Sequence, residues 1–107
     1  MDTGLYIARF RTPLDDAAGV IYVDGDQVYG GDTAMYYVGK ITGEDGKISV
    51  SLRVRQHDRD RMSVFGEVED FTLTLTGRKT GDEYAFEGRA DRAPSLRFQA
   101  VLKKAPL

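Results

Sequence analysis

The residue types best suited to chemistry stand together in one short run, His57-Asp58-Arg59-Asp60, which holds the chain's single histidine. An imidazole beside carboxylates has the groups of a general base or a metal ligand. Its setting argues against both. Metal centres draw three or four ligands from a rigid scaffold, and the chain has no second histidine and no cysteine. Alternating charges between apolar runs are expected to form a solvated loop. The acidic groupings Asp15-Asp16, Asp24 with Asp26, and Glu67 with Glu69 and Asp70 have the types of an acid–base pair. A glycosidase pair must face one cleft at about 5–10 Å separation. These carboxylates are instead expected in turns and at strand ends, where they are soluble turn formers. Nucleophile elbow, P-loop and dinucleotide fingerprint are all missing, and Gly30-Gly31 is too short to cradle a phosphate. The expectation is a protein that is not an enzyme, with no catalytic residue, no cofactor and no metal.

Recognition of nucleic acid is disfavoured as well. Fifteen basic residues against seventeen acidic ones leave a net charge of -2, whereas phosphate binding draws on excess positive charge. Arg53 and Arg55 share one face of an alternating segment, a candidate basic patch, but acidic residues such as Asp58, Asp60 and Asp70 are interspersed nearby. The aromatic residues fall at inward positions rather than alternating with outward basic ones, as base stacking requires.

The elements that would position any site are strands. Ile48, Val50, Leu52 and Val54 alternate with Ser49, Ser51, Arg53 and Arg55; Phe71, Leu73 and Leu75 alternate with threonines; Leu96, Phe98, Ala100 and Leu102 alternate with Arg97, Gln99, Val101 and Lys103. Successive side chains of a strand point to opposite faces, so each run has a dry face and a wet face. Val50, Leu52, Val54, Phe71, Leu73, Leu75, Phe98 and Ala100 are therefore expected to share one core. Further strands are expected over Leu5–Arg11, Val20–Val23, Gln27–Gly30, Met35–Ile41 and Glu83–Ala90, with Asp24-Gly25 suited to a type I′ hairpin. Turns are expected at Thr12-Pro13-Leu14-Asp15-Asp16, Gly43-Glu44-Asp45-Gly46, Lys79-Thr80-Gly81-Asp82 and Ala93-Pro94-Ser95. Gln56–Asp70 reads as a wide loop or a helical turn, and Gly30-Gly31 as a bend or bulge with positive φ.

About eight short strands joined by short turns imply antiparallel neighbours in one all-β domain over residues 1–107. Closure into a barrel removes exposed edges; a two-sheet sandwich is the alternative. At 41% hydrophobic and 30% charged residues the composition is that of a globular protein. No apolar run reaches the roughly 18–20 residues that span a bilayer. Met1-Asp2-Thr3-Gly4 has no basic n-region, so no secretory signal and a cytoplasmic location are expected.

The stretch Gly30-Gly31-Asp32-Thr33-Ala34-Met35-Tyr36-Tyr37-Val38-Gly39 resembles the GGD…Y-x-G signature of the GrlR-like family, named for a negative regulator of type III secretion genes. Gly4-Leu5-Tyr6, Gly19-Val20, Ser63-Val64-Phe65 and Val68-Glu69-Asp70-Phe71-Thr72-Leu73 are similar to the same pattern. The resemblance implies a lipocalin-like antiparallel barrel that forms a homodimer. It also implies repression by holding a transcriptional activator, with no direct contact to DNA. The family's activator contact is a surface loop of alternating Glu and Asp. Here that loop falls at Gly43-Glu44-Asp45-Gly46, where Glu44 and Asp45 are the remaining acids and the expected partner-binding residues. The alternative function is a small-ligand carrier or sensor that uses the barrel interior. Large inward residues (Tyr6, Phe10, Phe71, Phe86, Phe98) lead to the expectation of a mostly filled interior.

Overall fold

The computed structural model describes residues 1–107 except Met62, Glu67 and Val68. Glu67 of the acidic groupings and Val68 of the family-like middle segment thus lie outside the described residues. Eight strands follow one another: β1 (Gly4–Arg11), β2 (Asp16–Asp24), β3 (Gln27–Gly31), β4 (Met35–Glu44), β5 (Lys47–Gln56), β6 (Asp70–Thr80), β7 (Glu83–Ala90) and β8 (Ala93–Lys104). Each pairs antiparallel with the next, and β8 returns to β1 through pairs such as Ala8↔Leu102 and Phe10↔Ala100. That last ladder makes the fold a closed up-and-down barrel, the lipocalin architecture, rather than a sandwich.

The register follows the alternation. Val50 faces Leu75, Leu52 faces Leu73 and Val54 faces Phe71, all inward, while Ser51 and Arg53 face Thr74 and Thr72 outside. All eight residues expected to form the core lie in one buried cluster with Tyr6, Ile48, Tyr84 and Phe86.

Several boundaries differ from expectation, each for a local reason. β2 begins at Asp16 rather than Val20, because its inward positions Ala17 and Gly19 are too small to register as a hydrophobic pattern. The Asp24-Gly25 hairpin is not type I′: Gly25 has φ 62° and Asp26 a negative φ, the sign pattern of a type II′ turn with glycine first. The turn expected at Ala93-Pro94-Ser95 is the start of β8; the chain reverses at Asp91-Arg92. The β7–β8 register shifts between Gly88 and Ala90, so the amide that Pro94 lacks falls inside a ladder irregularity. Gly43 and Glu44 belong to β4, which leaves Asp45-Gly46 as the tip.

Gly30 and Gly31 have no positive φ, so the expected bend is wrong; the explanation at Gly30 is close packing. A Cβ on Gly30 would lie 2.5 Å from the Val20 carbonyl oxygen and 2.8 Å from Cε2 of Tyr37, its cross-strand partner. The tyrosine ring lies against the bare backbone of β3, in the way an aromatic side chain covers a strand glycine.

Candidate functional site

One end of the barrel is assembled from the β1–β2, β3–β4, β5–β6 and β7–β8 connections. Asp32 organises the β3–β4 loop: the amides of Ala34 and Met35 both donate to its Oδ1 at 2.8 Å, and the Tyr37 hydroxyl donates to Oδ2 at 3.0 Å. Gly30, Asp32 and Tyr37 are thus one structural unit, in which the glycine admits the ring, the ring reaches the carboxylate and the carboxylate caps the loop. Burial pushes the Tyr37 phenol far above its ordinary range, and the Asp32 carboxylate adds to this. The lone histidine serves the same loop. His57 Nε2 donates to the Asp32 carbonyl at 2.8 Å and the His57 amide to the Ala34 carbonyl at 2.9 Å. Asp58 turns to its own segment, accepting from the Asp60 amide at 3.0 Å and lying 3.6 Å from the Arg61 guanidinium. His57-Asp58-Arg59-Asp60 therefore acts as a clasp. Among the described residues no group of three or more potential metal-ligating side chains comes together.

The β5–β6 connection also covers this end. Val64 and Phe65 are buried, and Phe65 stacks on Phe98 at 5.4 Å and meets Phe71 edge-on at 5.0 Å. The Thr12 hydroxyl donates to the Val64 carbonyl in a buried hydrogen bond. At the opposite end, the Tyr6 hydroxyl donates to the Asp2 carbonyl at 2.7 Å, and its ring meets that of Tyr84 edge-on at 5.9 Å. Asp45 accepts from Tyr84 at 3.5 Å and lies 3.7 Å from the Met1 amino group.

Burial, with the charges of Tyr84, Asp2 and Asp45, pushes the Tyr6 phenol up to about 12. An unfolded tyrosine loses its proton near pH 10, so the folded chain holds this proton more tightly than the unfolded one. The stability this confers is whole below about pH 10 and is lost as pH rises towards about 12. Urea denaturation followed across this window is expected to show stability falling as pH rises. Tyr6→Phe should reduce the slope.

Between the two ends the interior is lined but not filled. A cavity of about 480 Å³ runs among Phe10, Tyr37, Phe71, Phe86 and Phe98, and reaches Asp15, Asp16, Asp32, Asp60 and Arg61 at the loop-covered end. The expectation of a mostly filled interior is therefore corrected: inward aromatics pack against the wall and against each other, while Ala8, Ala17 and Ala100 leave space beside them.

The outer face of β2–β4 is a second feature. Val20, Tyr22, Tyr29, Tyr36 and Val38 point outward, each between 41% and 46% exposed. Register makes them neighbours: Tyr22 pairs with Tyr29, Tyr29 with Val38, and Gly31, the partner of Val20, with Tyr36. Beyond them Tyr36 pairs with Arg55 and Val38 with Arg53. Arg53 grips Asp70 through two hydrogen bonds of 2.5 and 2.9 Å, and Arg55 lies 3.8 Å from the same carboxylate. Arg53 holds the Asp70 carboxyl below the usual range. The pair of arginines read as a candidate basic patch shares one carboxylate, which offsets half of its charge, and forms a charged rim to an apolar face. Its β2 members, Val20 and Tyr22, are signalled by the unbroken apolar run Val20–Val23: in an antiparallel strand, continuous apolarity means that both faces are apolar.

Glu44 and Asp45 are both exposed. Glu44 pairs in register with Lys47, while the Asp45 carbonyl accepts from the Lys79 amide at 2.7 Å. The other acidic groupings are not brought together: Asp15 and Asp16 stand at the loop-covered end, Asp24 and Asp26 at the opposite one.

No family model and no curated protein matches the chain. Among solved structures it is similar to the vaccine antigen Transferrin Binding Protein B from Haemophilus parasuis Hp5, with a TM-score of 0.44 and 12% sequence identity over 95% of this chain and 26% of that one. The chain thus spans about a quarter of the length of that structure. No helix among the described residues is long and apolar enough to cross a membrane.

Proposed function

We propose that this protein is a non-enzymatic, cytoplasmic regulator of the GrlR type, which works as a homodimer and acts by protein–protein contact with a transcriptional activator. The observation that carries the reading is the exposed face of Val20, Tyr22, Tyr29, Tyr36 and Val38. Tyrosine at the centre of a patch with arginine at its rim is the composition of protein interfaces. Its occupant is a second copy. Five adjacent apolar side chains with the rim of Arg53, Arg55 and Asp70 approach the roughly 800 Å² per partner of a standard interface, and a rim carrying both charge signs is self-complementary across a two-fold axis. The GrlR-like signature supports the same reading, and with it a place in the control of type III secretion genes.

The wild-type chain is expected to sediment as a dimer at micromolar concentration. Tyr22→Ser combined with Tyr29→Ser should weaken association by a factor of roughly 1,000, since two central aromatic contacts worth about 2 kcal/mol each sum to about 4 kcal/mol. A monomeric wild type, or a double variant that dimerises unchanged, would refute the assignment of this face.

Glu44 and Asp45 are the proposed contact for the activator: an acidic tip attracts a basic partner surface, raises the encounter rate and helps to set orientation. Asp45 also meets Tyr84 and the Met1 amino group, so the double alanine variant should lower stability slightly, whereas Glu44→Ala alone should not. Both are expected to reduce activator capture, more strongly at low salt.

A further inference from the structure

We propose that the outer surface of β1 and β6–β8 holds an acidic, extended segment of a partner protein, with two of its carboxylates gripped by Arg9 and Arg78. A groove of about 1110 Å³ runs across this surface. Register accounts for its shape. Ala18, Arg9, Val101, Ala85 and Arg78 form one outward row that crosses from β2 through β1, β8 and β7 to β6. The short side chains of Val101 and Ala85 make a low apolar floor, and the long arginines on either side make its walls. All four are exposed. Among the described residues neither Arg9 nor Arg78 joins an ion pair, unlike Arg53 and Arg55, which share Asp70. Arg11 and Lys47 also line the groove, with Asp16 and Glu87 as its acids. Four cations against two acids leave it positive, on a chain whose net charge is -2.

An anionic occupant follows from that imbalance, and its class from what else the groove offers. The barrel is closed, so no strand edge is open to a partner strand and recognition runs through side chains. A guanidinium fork takes a carboxylate through two parallel hydrogen bonds. Neighbouring strands lie about 4.8 Å apart, so three steps separate the Arg9 and Arg78 backbones by at most about 14 Å. An extended segment rises about 3.4 Å per residue, so two glutamates with three residues between them span that distance. The middle residue of the three points the same way as the glutamates, onto Ala85 and Val101, where a valine fits. Nucleic acid is the poorer match. The aromatic residues of the groove, Phe10 and Phe86, pack towards the core, so no base has a ring to stack on. Asp16 and Glu87 also oppose an unbroken run of phosphates. The two arginines stand on β1 and β6, whereas Tyr22, Tyr29 and Tyr36 stand on β2–β4, so occupancy depends neither on dimer formation nor on the activator.

The test is fluorescence anisotropy of a rhodamine-labelled peptide, Ser-Glu-Ser-Val-Ser-Glu-Ser, titrated with the full chain at low salt. Saturable binding is expected with a Kd below about 1 mM. Glutamine in place of both glutamates should weaken it at least about tenfold, and in place of one about fivefold. Arg9→Glu combined with Arg78→Glu should abolish binding in folded protein. Ala85→Glu should do the same, because it sets a carboxylate of the chain's own between the two arginines. Tyr29→Ser, on the face of β2–β4, should leave binding unchanged. A glutamine peptide that binds as well as the glutamate peptide would overturn the proposal, as would absence of saturation, and neither result needs a variant. A single strand of oligothymidylate that binds more tightly than the peptide would overturn it in favour of nucleic acid. Loss of dimerisation in the folded Arg9→Glu, Arg78→Glu protein would overturn it by giving the groove to a second copy.

Discussion

Replacing Gly39 by alanine is expected to cost about 3 kcal/mol or more, although it adds one methyl group. Gly39 faces inward on β4, in register between Val28 of β3 and Leu52 of β5. A Cβ there would overlap the Ser51 carbonyl oxygen and lie 2.9 Å from both Cα and Cδ2 of Leu52. The obstruction is mostly backbone, so a rotamer change does not relieve it. β4 would have to draw away from β5, and in a closed ring that displacement propagates to the neighbouring ladders. An urea midpoint equal to that of wild type would show that β4 does not press onto β5 at this point.

Leu73→Ala is expected to destabilise by about 2–5 kcal/mol. Leu73 is 4% exposed and sits on β6 between Leu52 and Ala90. It also lines the central cavity, so the space left by truncation joins an existing void and the surroundings have little to collapse onto. The same denaturation experiment decides the register. An unchanged midpoint would put Leu73 outside, and Thr72 and Thr74 inside, reversing the faces of β6.

These residues also show how far the fold can be read from the chain. β5, β6 and β8 announce themselves because bulky apolar and polar residues alternate without a break, and a slip of one residue would expose every apolar group. β2 is only half visible, since alanine and glycine at inward positions carry no hydrophobic signal. Closure itself is a long-range pairing of β1 with β8 that no local pattern encodes. The glycines mislead in one direction: at Gly30 the signal reads as backbone freedom, whereas the requirement is room for the Tyr37 ring from the next strand. The cavity is hidden for a related reason. Inward aromatics count towards a filled core, yet whether they meet at the axis or lie along the wall depends on the small residues opposite. The acidic tip is legible as a turn; the face of Tyr22 and Tyr29 becomes a patch only once β2, β3 and β4 are set side by side.

The proposed hold on a transcriptional activator is open to tagged capture from the native cell with mass-spectrometric identification, comparing wild type with Glu44→Ala, Asp45→Ala protein shown to be folded. Wild type is expected to retain a transcriptional activator, and the acidic-tip variant to lose most of it. Wild-type protein that captures no activator, or a folded variant that captures it equally well, would refute the proposal.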